Sequence, residues 1–235
     1  MRRSAAVALV GIVLLLAGCP RPRVVEAPTP APPTKVPAPQ LEGATIYTID
    51  PAASHVAVLV YRGGAMARLG HNHVMTVKAL TGRVWVHPRQ LSRSGFQLAF
   101  PVNDVVVDDR DARLAAGNDF PPDIPDKDKA GTRTNMLRAE VLDGAKYPQV
   151  ELASTRVEGH LPQPEITAAI TLKGARREVR IPATVTVDAN HVHAKGEFTI
   201  RQTEFGITPF SVALGAVQVQ DELRVQFDLS AVTGP

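Results

Sequence analysis

His71-Asn72-His73 is the element of this sequence best equipped for chemistry. In a strand, residues two apart share a face, so two imidazoles at this spacing could reach one metal ion, or could order a turn or pocket mouth by hydrogen bonding. The same face continues through Met75 and Val77, which turns it toward an interior. No carboxylate stands nearby at ligand spacing, so hydrogen bonding is the favoured role and a metal centre or enzyme site at His71 and His73 the open alternative. His191 and His193 repeat the spacing. Their neighbours Val192 and Ala194 take the apolar face, leaving these histidines with Lys195 and Glu197 on the solvated one.

The remaining reactive groups have plainer readings. Asp108, Asp109 and Asp111 could work as paired carboxylates, but acids at the start of a helix are stabilised by its dipole and read as first-turn residues. Arg110 and Arg113 either pair with those acids or meet a polar head group at a pocket mouth. Ser54 and His55 are adjacent in a strand, face opposite sides and cannot form a nucleophile-base pair. Arg176, Arg177 and Arg180 surround a turn and read as solvated. With no glycine-rich phosphate loop and no nucleophile elbow, no catalytic constellation emerges.

The elements that must position these groups have a period of two. Phe96, Leu98 and Phe100 alternate with Gln97 and Ala99; Ile166, Ala168, Ile170 and Leu172 form one face. A turn at Lys173-Gly174 then leads into Val179, Ile181, Ala183, Val185 and Val187, which predicts a hairpin. Val192, Ala194, Phe198 and Ile200 share a further face, and Leu223, Val225, Phe227 and Leu229 close the chain. Template matching gives about eight strands, mostly antiparallel. Two stretches break the pattern: 108–118, and 134–145, where Met136, Leu137, Val141 and Leu142 have helical spacing. Between them 120–131 reads as irregular. Period alone leaves open whether the strands close into a barrel or pack as a sandwich.

The N-terminal region has another composition. Met1-Arg2-Arg3 followed by the apolar run from Val7 to Gly18 has the make-up of a secretory signal and is short for a membrane span. Leu16-Ala17-Gly18-Cys19 resembles the lipobox of bacterial lipoproteins, which implies cleavage before Cys19 and lipid on that residue. Loss of 1–18 removes two arginines and takes the formal charge of +3 to +1 (3 − 2), which leaves no electrostatic footprint for nucleic acid. Cys19 is the single cysteine, so a disulfide framework and a thiolate nucleophile are excluded from the folded part. Residues 19–45 are rich in proline and read as an extended tether. One domain remains, 46–232.

Tyr47-Thr48-Ile49-Asp50, Arg110-Asp111 before Leu114, Lys146-Tyr147-Pro148 with Ser154-Thr155, Leu172-Lys173-Gly174, and Arg201 with Glu204-Phe205-Gly206-Ile207 occur in that order. Together they resemble the YceI-like lipid/polyisoprenoid-binding family, over about 46–232. The resemblance implies a mainly β fold, an antiparallel lipocalin-like barrel of about eight strands with one or two short helices, exported across the inner membrane. It also implies an apolar interior for a polyisoprenoid, quinone-like or other lipid chain. His71, His73, Met75, Phe96, Leu98, Phe100, Arg110, Phe198, Phe205 and Phe227 are the candidate pocket or mouth residues. Two segments depart from the family pattern: the insertion-like stretch 123–133, which bears on the rim, and Gly70-His71-Asn72-His73. Pro20 after Cys19 is not the aspartate that resemblance to enterobacterial lipoproteins associates with inner-membrane retention, so the expectation is a periplasmic face, at the outer membrane. A structural envelope module whose barrel is filled by its own side chains is the third reading.

Overall fold

The computed structural model describes residues 38–234; the expected signal peptide, Cys19 and most of the proline-rich tether lie outside them. Twelve strands and two α-helices follow in the order β1 (Thr45–Ile49), β2 (His55–Gly63), β3 (His73–Val77), β4 (Thr81–Val86), β5 (Gly95–Pro101), β6 (Val105–Val107), α1 (Arg110–Ala116), α2 (Asp126–Met136), β7 (Gln149–His160), β8 (Gln163–Leu172), β9 (Ala175–Val187), β10 (His191–Arg201), β11 (Ser211–Val212) and β12 (Val217–Thr233). All pairings are antiparallel.

Eight of the strands close a barrel in the order β1-β4-β5-β7-β8-β9-β10-β12, with β12 returning to β1 at Ile49↔Ala231. The long β12 makes this possible because its far edge serves two partners. Near its C-terminus it pairs with β1, and over Gln218–Asp228 with β2, which carries β3 and β6 beyond it. The side-chain period of two then sorts the residues: Ile166, Ala168, Ile170 and Leu172 of β8 join Ile181, Phe198, Ile200 and Val225 in one core cluster. Tyr47, Ile49, Val86, Leu98, Val192 and Ala231 build a second. The compact unit Pro33–Pro235 contains both clusters and a sheet closed on itself, the conditions under which a domain folds alone.

The turn at Lys173-Gly174 forms as the sequence predicts, with φ of 49° and 74° at the two residues, the left-handed pair that a tight hairpin needs. Glycine is required at the second for another reason too: a Cβ there would stand 2.6 Å from the Tyr147 ring. Lys173 Nζ donates to the carbonyls of Glu140 (2.8 Å) and Gly206 (3.2 Å). Three of the short motifs read in the sequence, around Tyr147, Lys173-Gly174 and Gly206, therefore meet at one end of the barrel.

The helical expectation for 134–145 needs correction. The helix is α2, which starts eight residues earlier, within the stretch 120–131 expected to be irregular, and 137–147 is a chain of turns in which Asp143 takes φ 48°. α2 buries none of its residues, so it has no apolar stripe to read. Its start is set by Pro125, whose carbonyl accepts from the Asp128 and Lys129 N–H groups, and by Asp126 and Asp128 in the first turn. Val141 and Leu142 keep their apolar role without helical geometry: with Met136 at the end of α2 they close over the barrel interior.

Candidate functional site

The barrel encloses a cavity of about 370 Å³. That lies within the range of small-molecule sites, roughly 300–1,000 Å³. Wall residues on β12 run from Val219 to Ala231, twelve residue steps, or about 40 Å of strand at ~3.3 Å per residue. The cavity is therefore long and narrow, which contradicts a barrel filled by its own side chains. Among the described residues no Lys, Arg, Asp or Glu lines it. Of its polar wall residues, Trp85 Nε1 donates to Arg93 O (3.0 Å), Ser94 Oγ accepts from His87 N (2.9 Å) and Gln202 Nε2 donates to Gln220 O (2.8 Å). An apolar chain in this space meets almost only hydrocarbon.

β2 and β3 carry the wall on one face and a second, outer core on the other. Val56, Val58 and Val60 line the cavity, whereas Leu59 packs outward with Val74 and Phe120 beneath α1 residues Ala112 and Ala116. In β3, Met75 and Val77 face the cavity as the alternation predicts, and His73 joins them. The stretch 123–133, read in the sequence as insertion-like, supplies most of α2, whose Thr132, Asn135 and Met136 cover the cavity. Arg133 clamps that cover by donating to Val105 O (2.8 Å) and Asn103 O, capping carbonyls at the edge strand β6.

Of the residues singled out in the sequence, His73, Met75, Phe96, Leu98, Phe100, Phe198 and Phe227 lie on the cavity wall. His71, Arg110 and Phe205 lie off it. His71 is exposed with its ring 6.3 Å from that of His73. Arg110 is 62 % exposed and 3.6 Å from Asp123. Phe205 is fully buried in the core beside the cavity. His191 and His193 sit outside the barrel as expected, bonded to Ser230 Oγ (2.8 Å) and Asp228 Oδ1 (2.6 Å). Ser54 is structural: its hydroxyl donates to Ser230 O (3.2 Å) and accepts from Ser230 N (3.1 Å).

Asp108 and Arg113 are the residues whose position sequence reasoning missed. Asp109 caps α1 by accepting from Ala112 N at 3.1 Å, and Asp111 lies in the first turn, but Asp108 stands one step before the cap with φ 54°. There it is completely buried, as is Arg113. Its Oδ1 accepts from Val74 N (2.9 Å) and from Arg113 Nη1; its Oδ2 lies 2.7 Å from His73 Nδ1. Arg113 also donates to Pro121 O (2.6 Å) and Asn72 O (2.7 Å) and lies 5.9 Å over the Phe120 ring. So the carboxylate partner that His73 lacked in sequence arrives from 35 residues away. Among the described residues no group of three or more His, Cys, Asp or Glu is arranged to hold a metal, and His73 Nδ1 is already engaged by Asp108.

Burial alone would raise the Asp108 pKa. The hydrogen bonds from His73, Val74 N–H and Arg113 outweigh it and hold the carboxyl below its ordinary value. A folded-state pKa below the unfolded one, about 3.9, adds stability that is complete above that value and is lost as pH falls through the folded one. Thermal melts should therefore show a wild-type advantage over Asp108→Asn that is constant above about pH 5 and shrinks below about pH 4. An advantage independent of pH would contradict the ionised, hydrogen-bonded carboxylate.

A closed antiparallel barrel with a long apolar interior and helices outside defines a lipocalin-like protein. The YceI-like domain model matches residues 47–231, and the chain belongs to the YceI-like family. Its fold is similar to that of BcnA from Burkholderia cenocepacia, with TM-score 0.56 and 18 % identity over 77 % of this chain and 98 % of that one. It is also similar to a polyisoprenoid-binding domain from Saccharophagus degradans implicated in plant cell wall breakdown, with TM-score 0.53 and 12 % identity over 80 % of this chain and 98 % of that one. No curated protein matches the chain significantly.

Proposed function

We propose that this protein is a membrane-tethered periplasmic binding protein that holds one long apolar chain, a polyisoprenoid, quinone-like molecule or other lipid, inside its barrel. The observation that carries the reading is the cavity, about 370 Å³, lined along its length by aliphatic and aromatic side chains and by no charged one among the described residues. Each methylene moved from water into such a wall stabilises the complex by about 0.8 kcal/mol, so length supplies affinity and width supplies selection. The family membership and the fold shared with a polyisoprenoid-binding domain support the choice of cargo.

Tethering rests on the sequence: the lipobox at Leu16-Ala17-Gly18-Cys19 and the proline-rich segment behind it. Lipid on Cys19 would hold the barrel at the membrane, facing the periplasm from the outer membrane, where cargo is locally concentrated and tight binding is unnecessary. Two measurements test the proposal. Organic extracts of the purified unit Pro33–Pro235 should contain a long-chain lipid by mass spectrometry, or the delipidated unit should take up a polyprenyl chain on titration. Neither ligand nor uptake would remove the binding role. Palmitate labelling of wild type but not of Cys19→Ala tests the anchor separately.

A further inference from the structure

Among the described residues His73 is the one imidazole on a wall that is otherwise nearly all hydrocarbon, and its orientation is fixed from behind. Its side chain is 14 % exposed, and Nδ1 is held 2.7 Å from Oδ2 of the fully buried Asp108. An ionised carboxylate only accepts hydrogen bonds, so Nδ1 carries the proton and donates it to Asp108. In the neutral ring that leaves Nε2 as a lone-pair acceptor, and Nε2 has no hydrogen-bond partner among the described residues. Arg113, also fully buried and bonded to the other carboxylate oxygen, already balances the charge of Asp108, so the arrangement needs no imidazolium.

We propose that His73 Nε2 accepts a hydrogen bond from the polar end of the cargo, so that the cavity selects a chain ending in a neutral hydroxyl over the same chain ending in an ether, a carbonyl or a phosphate. This rests on the reading of the barrel as a container for an apolar chain and adds the head group to it. An ether or carbonyl offers Nε2 no proton. An anionic head is excluded because no cationic side chain among the described residues lines the cavity to neutralise it. Asp108 is then a positioning residue, acting on the ligand only through the tautomer it imposes, and Arg113 keeps it ionised.

The test is displacement of a neutral fluorescent polyene hydrocarbon from the unit Pro33–Pro235 by three probes: a twenty-carbon prenol, its methyl ether and the parent hydrocarbon. Wild type should bind the prenol about three- to tenfold more tightly than the ether, the size of one neutral hydrogen bond. His73→Phe should bind the hydrocarbon as wild type does and show no preference between prenol and ether. Asp108→Asn turns an amide N–H toward Nδ1, which moves the ring proton to Nε2; hydroxyl and ether oxygens both accept from Nε2–H, so its preference for the prenol over the ether should vanish while both still bind more tightly than the hydrocarbon. A merely structural role for Asp108 would change all three affinities together. If neither variant folds, as judged by thermal melting, the wild-type ratio decides alone. Equal binding of prenol and ether by wild type would overturn the role of His73 while leaving the container reading intact. Binding of none of the three probes would overturn both.

Discussion

Ala194→Trp should abolish uptake of a long apolar chain while the barrel still folds. Ala194 lies on the cavity wall in β10, opposite Val185 and Leu229, so an indole grown from it enters the space the chain needs. Excluding even five methylenes costs about 4 kcal/mol, roughly a thousandfold in Kd. The cavity of about 370 Å³ accepts the added side chain with less strain than a packed core would, where overpacking costs about 1–3 kcal/mol. Lys195→Trp, one residue on and on the outer face, is the control and should bind as wild type does. Ligand titration with a melting curve for each variant checks this; unaltered uptake by Ala194→Trp would place the binding site outside the barrel.

Arg113→Ala should lower stability by about 3–5 kcal/mol, the cost of leaving a buried charge unpaired. For a domain of this size that corresponds to roughly 10 °C in Tm. Asp108 would lose one of its hydrogen bonds and its counter-charge, and the carbonyls of Pro121 and Asn72 would lose their donor. The side chain also spans the gap between β3 and the segment after α1, so its methylenes and guanidinium pack against Phe120. The double variant Asp108→Asn with Arg113→Met removes both charges and should cost clearly less than the sum of the two single changes. Additive losses in denaturant unfolding would show that the two residues do not act as a pair.

The strands were legible because each presents one apolar face at a period of two, and β8 to β10 with β12 realise that alternation almost residue for residue. Barrel closure was legible only through the family resemblance. The deciding feature, an edge of β12 shared between β1 and β2, is a long-range pairing that no local pattern encodes. α2 escaped because Asp126–Met136 has no apolar stripe, while the turns after it carry apolar residues at helical intervals for a tertiary reason, the covering of the cavity.

At the site, the inward face of His73, Met75 and Val77 followed from spacing, and so did the outward face of His191 and His193. The partnership of His73 with Asp108 did not, because the two lie on strands β3 and the end of β6 that only the sheet brings together. One signal was present: of Asp108, Asp109 and Asp111, only Asp109 can be the cap, which leaves Asp108 ahead of the helix and directly after the buried Val107. Arg110 and Arg113 divide in the same way. Three residues apart on one short helix, the first reaches solvent and the second turns under β3.

The most direct measurement is a crystal structure of the unit Pro33–Pro235 grown with a prenyl chain that carries a terminal bromine. Density for one extended chain is expected inside the barrel, with the anomalous peak among the side chains of β8, β9 and β10 or of β2 and β12 that form the wall. Bromine bound only on the outer surface, with the cavity walls collapsed onto one another, would contradict it.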